Sequence, residues 1–193
     1  MEKIFPMVIL DTETTGIGAA KNEIVELCAV KLESGFKIQS CFTTLIKPRK
    51  PIPVGASNVH HITDEMVSDA PSFPEIAQCF ADYISGCNIA GHNVKFDLEF
   101  LYASGFDLPE KAKYYDTLDL AKKTLISEGK QQYDRDTGAY IEVDHYDVEN
   151  YKLTTLCDYY GIYRSDAHRS LSDCLATAKV MEHLVEDKLA DSE

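Results

Sequence analysis

The sequence predicts an α/β protein built on a mixed sheet, with an antiparallel meander, parallel strands and flanking helices. The apolar run 7–10 does not alternate with polar residues, which is typical of a strand buried on both faces. Strand patterns and helix patterns are then mixed along the chain, and this order indicates one α/β sheet. A length of 193 residues fits a single domain spanning 1–193.

The first part of the chain predicts the meander. Its three strands are expected over 7–12, 23–32 and 36–46. Because Glu26 and Lys31 interrupt the apolar residues of the second strand, we expect that strand to be half buried. Prolines then predict an extended loop. Thr63 is expected to cap a short helix over 63–66.

The later elements are predicted from apolar residues at helical spacing and from end signals. A short strand is expected over 88–91, and helices over 72–84, 96–104, 117–125, 153–160 and 171–189. The last helix carries an apolar stripe that begins at Leu171 and runs to Val185. Gly86 and Gly161 are placed to end two of the helices.

The stretch 128–151 predicts a hairpin insertion, because Asp136, Thr137 and Gly138 supply turn chemistry between two strand-like segments. Two interpretations remain open. The hairpin is either surface decoration, or a lid or partner surface whose tyrosines stack on an exposed base.

The net charge of −13 excludes a protein that follows long duplex nucleic acid by charge alone. Short or single-stranded ends, metal ions or a local basic patch remain compatible with it. One candidate patch contains Lys47, Arg49 and Lys50, and another contains Arg164 and Arg169. The alternative for both patches is solubilising surface charge.

Composition also limits the location and the redox chemistry. No apolar stretch is long enough to cross a membrane, and the N-terminal segment lacks a signal-peptide core. The six cysteines show no metal-ligand spacing, so we expect mostly buried, reduced thiols. These observations predict a cytoplasmic protein without a membrane partner.

Asp11 and Glu13 follow directly on the first buried strand. Side chains at i and i+2 of a strand point the same way, so the two carboxylates converge. Like charges held this close repel strongly unless a cation lies between them. Hard carboxylate oxygens select Mg²⁺ or Mn²⁺, and the pair therefore predicts a metal site.

Two later segments add polar groups. Asp97 joins a short strand to a helix and faces Asp11 if both lie at the carboxyl edge of the sheet. Its alternative role is to stabilise the helix N-terminus. Asp173 lies near the start of the last helix and His168 in the loop before it. This spacing suits one metal ligand and one proton acceptor, although His168 could also be an ordinary exposed histidine.

Taken together, these segments resemble the DnaQ-like DEDDh 3′–5′ exonucleases, a branch of the ribonuclease H-like superfamily, with the first motif closest to the proofreading branch. The matching motifs are D-T-E-T-T-G at 11–16, H-N-x-x-F-D at 92–97, H-x-x-x-x-D at 168–173, V-H-H-I-T at 59–63 and D-T-L at 116–118. The fourth departs from the family pattern, because His61 stands where glycine is usual.

The resemblance implies a ribonuclease H-like fold and a metal-dependent 3′–5′ exonuclease. This enzyme would act on single-stranded DNA and release nucleoside 5′-monophosphates. Two divalent ions, Mg²⁺ or Mn²⁺, would be held by Asp11, Glu13, Asp97 and Asp173, with Asp11 bridging them. His168 would take the proton from the attacking water.

The resemblance also implies contacts to the substrate from the loop after the first strand and from the second motif. The residues concerned are Thr14, Thr15, Gly16, His60, Asn93 and Phe96. The implied partners are 3′ ends of nucleic acid, with DNA favoured over RNA, and a DNA polymerase if the role is proofreading. Two alternatives stay open, an exoribonuclease of short RNA and an inactive scaffold that binds nucleic acid or a polymerase.

Overall fold

The computed structural model describes residues 4–164 and 168–190, without the side chains of 127–132, 142–145 and 189–190. A five-stranded mixed sheet lies at its centre, in the order β3-β2-β1-β4-β5. The strands are β1 (Met7–Thr14), β2 (Ile24–Glu33), β3 (Lys37–Leu45), β4 (Asn88–Gly91) and β5 (Tyr114–Asp116). The predicted fold class, a mixed α/β sheet with an antiparallel meander, is confirmed.

Helices flank this sheet. They are α1 (Val54–His60), α2 (Phe73–Ile84), α3 (Lys95–Ala103), α4 (Thr117–Thr124), α5 (Leu153–Tyr160) and α6 (Ser170–Ala190). None of the helices in the described parts of the chain is long and apolar enough to cross a membrane.

Strand direction decides where the chain can build a site. β1 runs antiparallel to β2 but parallel to β4, and β4 runs parallel to β5. The carboxyl ends of β1, β4 and β5 therefore share one edge of the sheet. Open α/β sheets bind ligands at this edge. Asp11 and Glu13 lie there, at the end of β1.

Both faces of β1 are covered, as its unbroken apolar run predicts. Val8 and Leu10 pack with Phe80 of α2 and Phe100 of α3. On the other face, Met7 and Ile9 pack with Cys174, Ala178 and Met181 of α6. Alternate residues of one strand thus join two separate hydrophobic clusters, which fixes the position of β1 in the sheet.

The prediction of a half-buried second strand was wrong. β2 is buried along nearly its whole length, because it lies between β1 and β3 with packing on both faces. Glu26 is buried in it, at 4% exposure. A buried carboxylate requires a partner, and the partner comes from a distant part of the chain.

Two short elements also differ from prediction. Residues 63–66 form turns instead of a helix, with the Thr63 hydroxyl accepting a hydrogen bond from Met66 N at 3.4 Å. The helix in this region is α1, which follows the extended Pro53. β5 was not predicted, because it is only three residues long and depends on pairing with β4.

Helix α6 keeps most of the apolar stripe that the sequence predicts, because Ala178 and Met181 are buried against the sheet and Leu175 and Val185 pack beside them. Leu171, the first residue of that stripe, is 38% exposed. One buried side of α6 meets the sheet, and another, with Val180 and Leu184, packs with Leu156 of α5 and Ala121 of α4. The helix is buried on two sides, which explains why one stripe does not describe it.

The hairpin consists of β6 (Ile126–Asp134) and β7 (Ala139–Tyr146), a two-stranded sheet separate from the central one. Gly138 adopts φ 66° in its turn, and the Asp134 carboxylate accepts hydrogen bonds from Asp136 N and the Thr137 hydroxyl, both at 2.8 Å. It begins slightly earlier than the predicted insertion. The lid role and the single-domain organisation stay predictions.

All six cysteines are free thiols. Cys28, Cys87, Cys157 and Cys174 are buried, in line with the expectation for most of them, whereas Cys41 and Cys79 are exposed.

Gly91 is expected to tolerate no side chain, since it ends β4 beside the strand that carries Asp11. A Cβ there would lie 2.9 Å from the Leu10 carbonyl oxygen and 2.9 Å from Val94 Cβ. Gly91→Ala should lower the free energy of unfolding by about 1–3 kcal/mol, as overpacking does. Urea denaturation measures the change. Gly55→Ala in α1 is the control, because a Cβ there meets nothing within 4 Å. Equal stability of the Gly91 variant and the parent would contradict the packing described.

Candidate active site

Three carboxylates meet at the carboxyl edge of the sheet. The ligand oxygens of Asp11, Glu13 and Asp173 all lie within 4.8 Å of one another. Asp11 and Glu13 come from the end of β1, and Asp173 from the first turn of α6. Asp97, in the first turn of α3, lies close enough for its charge to act on both Asp11 and Glu13. These four side chains are called the acid cluster below.

Hydrogen bonds fix two members of the acid cluster. The Thr12 hydroxyl donates to Asp97 Oδ1 at 2.7 Å, joining α3 to β1. Asp173 forms an ion pair with Arg164, and both side chains are largely buried. The neighbouring Cys174 thiol donates to the Ile9 carbonyl at 3.3 Å, which holds the start of α6 against β1.

Burial and repulsion between carboxylates raise the pKa values of Asp11 and Glu13, and burial raises that of Asp97. Burial first, and then the charges of Asp97 and Glu13, raise the pKa of Asp11 well above its usual range. Burial followed by the charge of Asp173 raises the pKa of Glu13 to about 8. Burial raises the pKa of Asp97 to about 7, although hydrogen bonds from Thr12 oppose the shift.

This donor set fits a hard divalent cation. Carboxylate oxygens are the ligands that Mg²⁺ and Mn²⁺ prefer, and the cluster contains no thiol or imidazole ligand among the described residues. A cation would also relieve the repulsion that raises the pKa values. The pair formed by Asp11 and Glu13, foreseen from their spacing, is thus joined by a third acid that lies far away in sequence.

Glu26 connects β2 to the loop before α6. Its carboxylate accepts hydrogen bonds from Arg169 Nη2 at 2.6 Å and from Ser170 N at 2.9 Å. Its charge also contributes to the raised pKa of Glu13. Arg164 and Arg169 are therefore ion-paired within the site, and the interpretation of these two arginines as solubilising surface charge was wrong.

The other basic patch is exposed. Lys47, Arg49 and Lys50 line a cleft of about 750 Å³ together with Lys21. Arg49 pairs with Glu23 at 2.6 Å, and Lys47 Nζ donates to the Ser68 carbonyl at 2.6 Å.

His168 lies beside the acid cluster without joining it as a ligand. It is exposed and precedes α6. Together with His92, Asn93, Arg164 and Asp173 it lines a cleft of about 570 Å³. Its ring is absent from the group of mutually close ligand atoms in the described structure. This position suits a proton acceptor next to the cluster better than a metal ligand.

Three residues at the site adopt left-handed backbone. The φ angles are 60° at His61, 61° at Asn93 and 64° at His168. His61 stands where the family pattern has glycine, and it forms the C-terminal cap of α1 with its N–H donating to the Ser57 carbonyl. His61 thus adopts a left-handed conformation that glycine takes more readily, at a cost of about 1–2 kcal/mol. Such strain is concentrated at functional sites.

The loop predicted to hold a nucleotide is tied to the protein itself. The Thr14 hydroxyl donates to the Gly16 carbonyl at 2.8 Å, and Thr15 N donates to the Glu23 carbonyl at 2.9 Å. A Cβ on Gly16 would lie 2.6 Å from Asn22 Oδ1, so a larger residue would require the Asn22 side chain to move. The two hydrogen bonds keep the loop rigid, and its contacts with a substrate stay a prediction.

The other predicted substrate residues differ in exposure. His60 is buried, and its Nδ1 accepts a hydrogen bond from Ile62 N at 3.0 Å. Because Nδ1 accepts this bond, the ring carries its proton on Nε2, and burial lowers the pKa of His60. Phe96 is partly buried against Phe100, with ring centroids 4.9 Å apart. Asn93 is exposed. Their roles toward a substrate stay predictions.

Sequence reasoning missed the groups that position the acid cluster. Asp116 Oδ1 accepts hydrogen bonds from Asn93 N at 2.8 Å and Leu118 N at 2.9 Å, so it fastens the loop before α3 and caps α4. Thr12 and Glu26 were also missed as site residues. A carboxylate inside an apolar strand was a usable signal for Glu26, because it requires a buried partner. No comparable signal marked Thr12.

Comparisons with known proteins agree with this geometry. The RNase T family model, described as exonuclease, matches residues 8–181. DNA polymerase III PolC-type of Caldanaerobacter subterraneus is 29% identical over 181 residues, which cover 93% of this chain and 11% of the relative. DNA polymerase III subunit epsilon of Treponema pallidum is 39% identical over 127 residues, which cover 64% of this chain and 58% of the relative.

The fold is also shared with a solved structure. Escherichia coli exonuclease I in complex with a dT13 oligonucleotide superposes with a TM-score of 0.73 at 22% identity, over 96% of this chain and 42% of that chain. The chain thus spans only part of the length of these relatives, about a tenth for the PolC-type polymerase.

The raised pKa values predict how the metal-free protein responds to pH. Asp97 and Glu13 hold protons in the folded state up to about pH 7 and about pH 8, whereas in an unfolded chain they lose them near their ordinary values. This contribution to stability is complete at acidic pH and is lost as the pH rises through those folded-state values. In EDTA, the melting temperature should fall between pH 5 and pH 8, and Mn²⁺ should reverse the fall.

Asp11→Ala should reduce this pH dependence and stabilise the metal-free protein at pH 8, because it removes one repelling carboxylate. Glu65→Gln, an exposed carboxylate outside the acid cluster, is the control and should leave the pH dependence unchanged. A melting temperature in EDTA that rises steadily with pH in the parent protein would show that the carboxylates do not repel as described.

Proposed function

Because the chain belongs to the RNase T exonuclease family, whose model matches residues 8–181, we propose that it is a metal-dependent 3′–5′ exonuclease. The substrate is the 3′ end of single-stranded DNA, and the products are nucleoside 5′-monophosphates. The acid cluster carries this proposal, since Asp11, Glu13 and Asp173 bring their oxygens within 4.8 Å of one another.

The residues of the acid cluster would hold two divalent ions, Mg²⁺ or Mn²⁺. Asp11 would help to hold these ions, because the charges of all three other acids act on it. Asp97 is held in place by the Thr12 hydroxyl. When bound, the ions supply electrostatic stabilisation of the attacking and leaving oxygens.

His168 would accept the proton of the attacking water. It lines the same cleft as Asp173 and is open to solvent, so it can pass the proton on. The ion pair between Glu26 and Arg169 and the hydrogen bond from Ser170 N to Glu26 hold the chain just after His168. A proton acceptor needs such positioning to stay within reach of the water.

The loop 14–16 would support the terminal nucleotide. Its internal hydrogen bonds tie it to the protein, and the Asn22 side chain packs against Gly16. Neutral His60, Asn93 and Phe96 are the other residues that we assign to the nucleotide. A rigid loop reduces the entropy that is lost when the nucleotide binds.

DNA is favoured over RNA because the relatives named above are DNA polymerase III proteins. Those names also support a second proposal, that the chain associates with a DNA polymerase and removes misincorporated nucleotides. An exoribonuclease of short RNA remains the alternative enzyme. The complete set of four acids and His168 argues against an inactive scaffold. The acids repel one another, and a scaffold without a metal site would gain nothing from this repulsion.

The direct test is hydrolysis of 5′-labelled single-stranded DNA, RNA and a duplex with a 3′ mismatch, each with Mg²⁺ and with Mn²⁺. We expect the DNA strand to shorten stepwise from its 3′ end, with release of 5′-monophosphates. Asp11→Ala should abolish the reaction while the protein stays folded. Metal-dependent hydrolysis by this variant near the parent rate would contradict the assignment.

Replacement of His168 should slow the chemical step without weakening metal binding. His168→Ala is expected to lower kcat by about 10²–10⁴-fold, the usual contribution of general base catalysis. Because the residue is exposed, added imidazole should restore part of the rate. His183→Ala, which alters a partly exposed histidine in the second half of α6, is the control. Unchanged kcat in the His168 variant would exclude histidine as the base.

A further inference from the structure

The cleft that contains His168 has a positive side. Its lining brings together the loop at His92 and Asn93, α4 and the start of α5. Lys122, Lys152 and Arg164 supply positive charge there, and Asp173 is the only acid among the lining residues that the structure describes. A concentration of positive charge next to the acid cluster is unusual in a chain of net charge −13.

Arg164 is buried in this cleft, and its Nε donor has no partner among the described residues. Its side chain is 8% exposed and pairs with Asp173. Its Nη1 donates to the Thr154 hydroxyl at 2.9 Å. Its Nε is buried and has no hydrogen-bond partner among the described residues. A buried guanidinium N–H without an acceptor is costly, and an anion bound in the adjoining cleft would offset part of this cost electrostatically.

Two further features point to an anion. The hydroxyl of Tyr151, also in the cleft lining, is buried without a partner among the described residues. The cleft also includes the first residues of α5, Leu153 and Thr154. The first N–H groups of a helix have no intrahelical acceptor and carry partial positive charge, which favours phosphate. Lys152, the N-cap of α5, provides no side-chain cap for them.

We propose that this cleft binds a backbone phosphate of the substrate strand, upstream of the bond that is cut. The proposal rests on the exonuclease function proposed above. A strand whose last phosphodiester lies at the acid cluster must continue over a neighbouring surface. The cleft shares Asp173 with the cluster and His168 with the proposed chemistry, and it carries the charge that a phosphate requires.

The second basic cleft, with Lys21, Lys47, Arg49 and Lys50, is a weaker candidate. Arg49 and Lys47 already pair with Glu23 and with the Ser68 carbonyl. No buried polar atom without a partner is found in the lining of that cleft among the described residues. It therefore provides a matched control of similar charge.

The test compares two substrates with the double variant Lys122→Ala/Lys152→Ala. One substrate is a single-stranded DNA oligonucleotide, and the other is the p-nitrophenyl ester of thymidine 5′-monophosphate, which has no upstream phosphate. We expect KM for the oligonucleotide to rise about tenfold, as the loss of two exposed charge contacts does. The slope of the logarithm of the binding constant against the logarithm of the salt concentration should become less steep by about 1.4, since each contact to a single strand contributes about 0.7. Turnover of the ester should stay within about twofold of the parent, since the acid cluster is intact.

The double variant Lys21→Ala/Lys50→Ala removes the same charge from the other cleft and should leave KM unchanged. An equal rise of KM in both double variants would show that the effect depends on the overall charge of the protein and not on this cleft, and it would overturn the proposal. An equal loss of kcat/KM for the oligonucleotide and for the ester would show that the two lysines act on the acid cluster, and it would also overturn the proposal.

A binding measurement separates this proposal from the proposed function. Fluorescence anisotropy of a labelled oligonucleotide can be recorded with Asp11→Ala protein, which is not expected to cut it. Adding the Lys122 and Lys152 changes should raise Kd about tenfold. If the parent protein cuts neither substrate, the exonuclease proposal fails while this measurement still decides about the cleft. An unchanged Kd would overturn the cleft proposal alone.

Discussion

Repulsion among the carboxylates of the acid cluster is the constraint on which the rest of the site depends. Asp11, Glu13 and Asp173 hold their oxygens within 4.8 Å of one another, and the charge of Asp97 acts on the same place. The fold opposes this repulsion with a strand buried on both faces and a helix locked against it. A bound cation would relieve the remaining repulsion between the carboxylates. Such a cation also stabilises the attacking and leaving oxygens of a hydrolysis reaction, which connects the acid cluster to catalysis.

Two arginines supply positive charge that balances the acids of the site. Arg164 pairs with Asp173, and Arg169 pairs with Glu26, which lies opposite Glu13 on the neighbouring strand. Both arginines come from the segment between α5 and α6, so that segment controls the charge balance of a site whose first ligands lie on β1. Arg164 also touches the first turn of α5 through Thr154, which links the acid cluster to the proposed phosphate cleft.

The sequence predicted the parts of the structure that local patterns determine. The apolar run before Asp11 and the i, i+2 spacing to Glu13 were enough to foresee a buried strand with converging carboxylates. The burial of β2, the three-residue β5 and the two-sided burial of α6 depend on neighbours that are distant in sequence, so no local pattern contained them. The left-handed conformation of His61 and the partners of Glu26 and Arg164 are invisible in sequence for the same reason.

The most direct measurement of the central claim is calorimetric titration of Mn²⁺ into the metal-free protein at pH 7, in buffers with different ionisation enthalpies. Because the pKa of Glu13 is raised to about 8 and that of Asp97 to about 7, binding should release protons into the buffer. Asp11→Ala should weaken the binding and reduce the release. Binding without proton release, or binding that Asp11→Ala leaves unchanged, would contradict a metal site at the acid cluster.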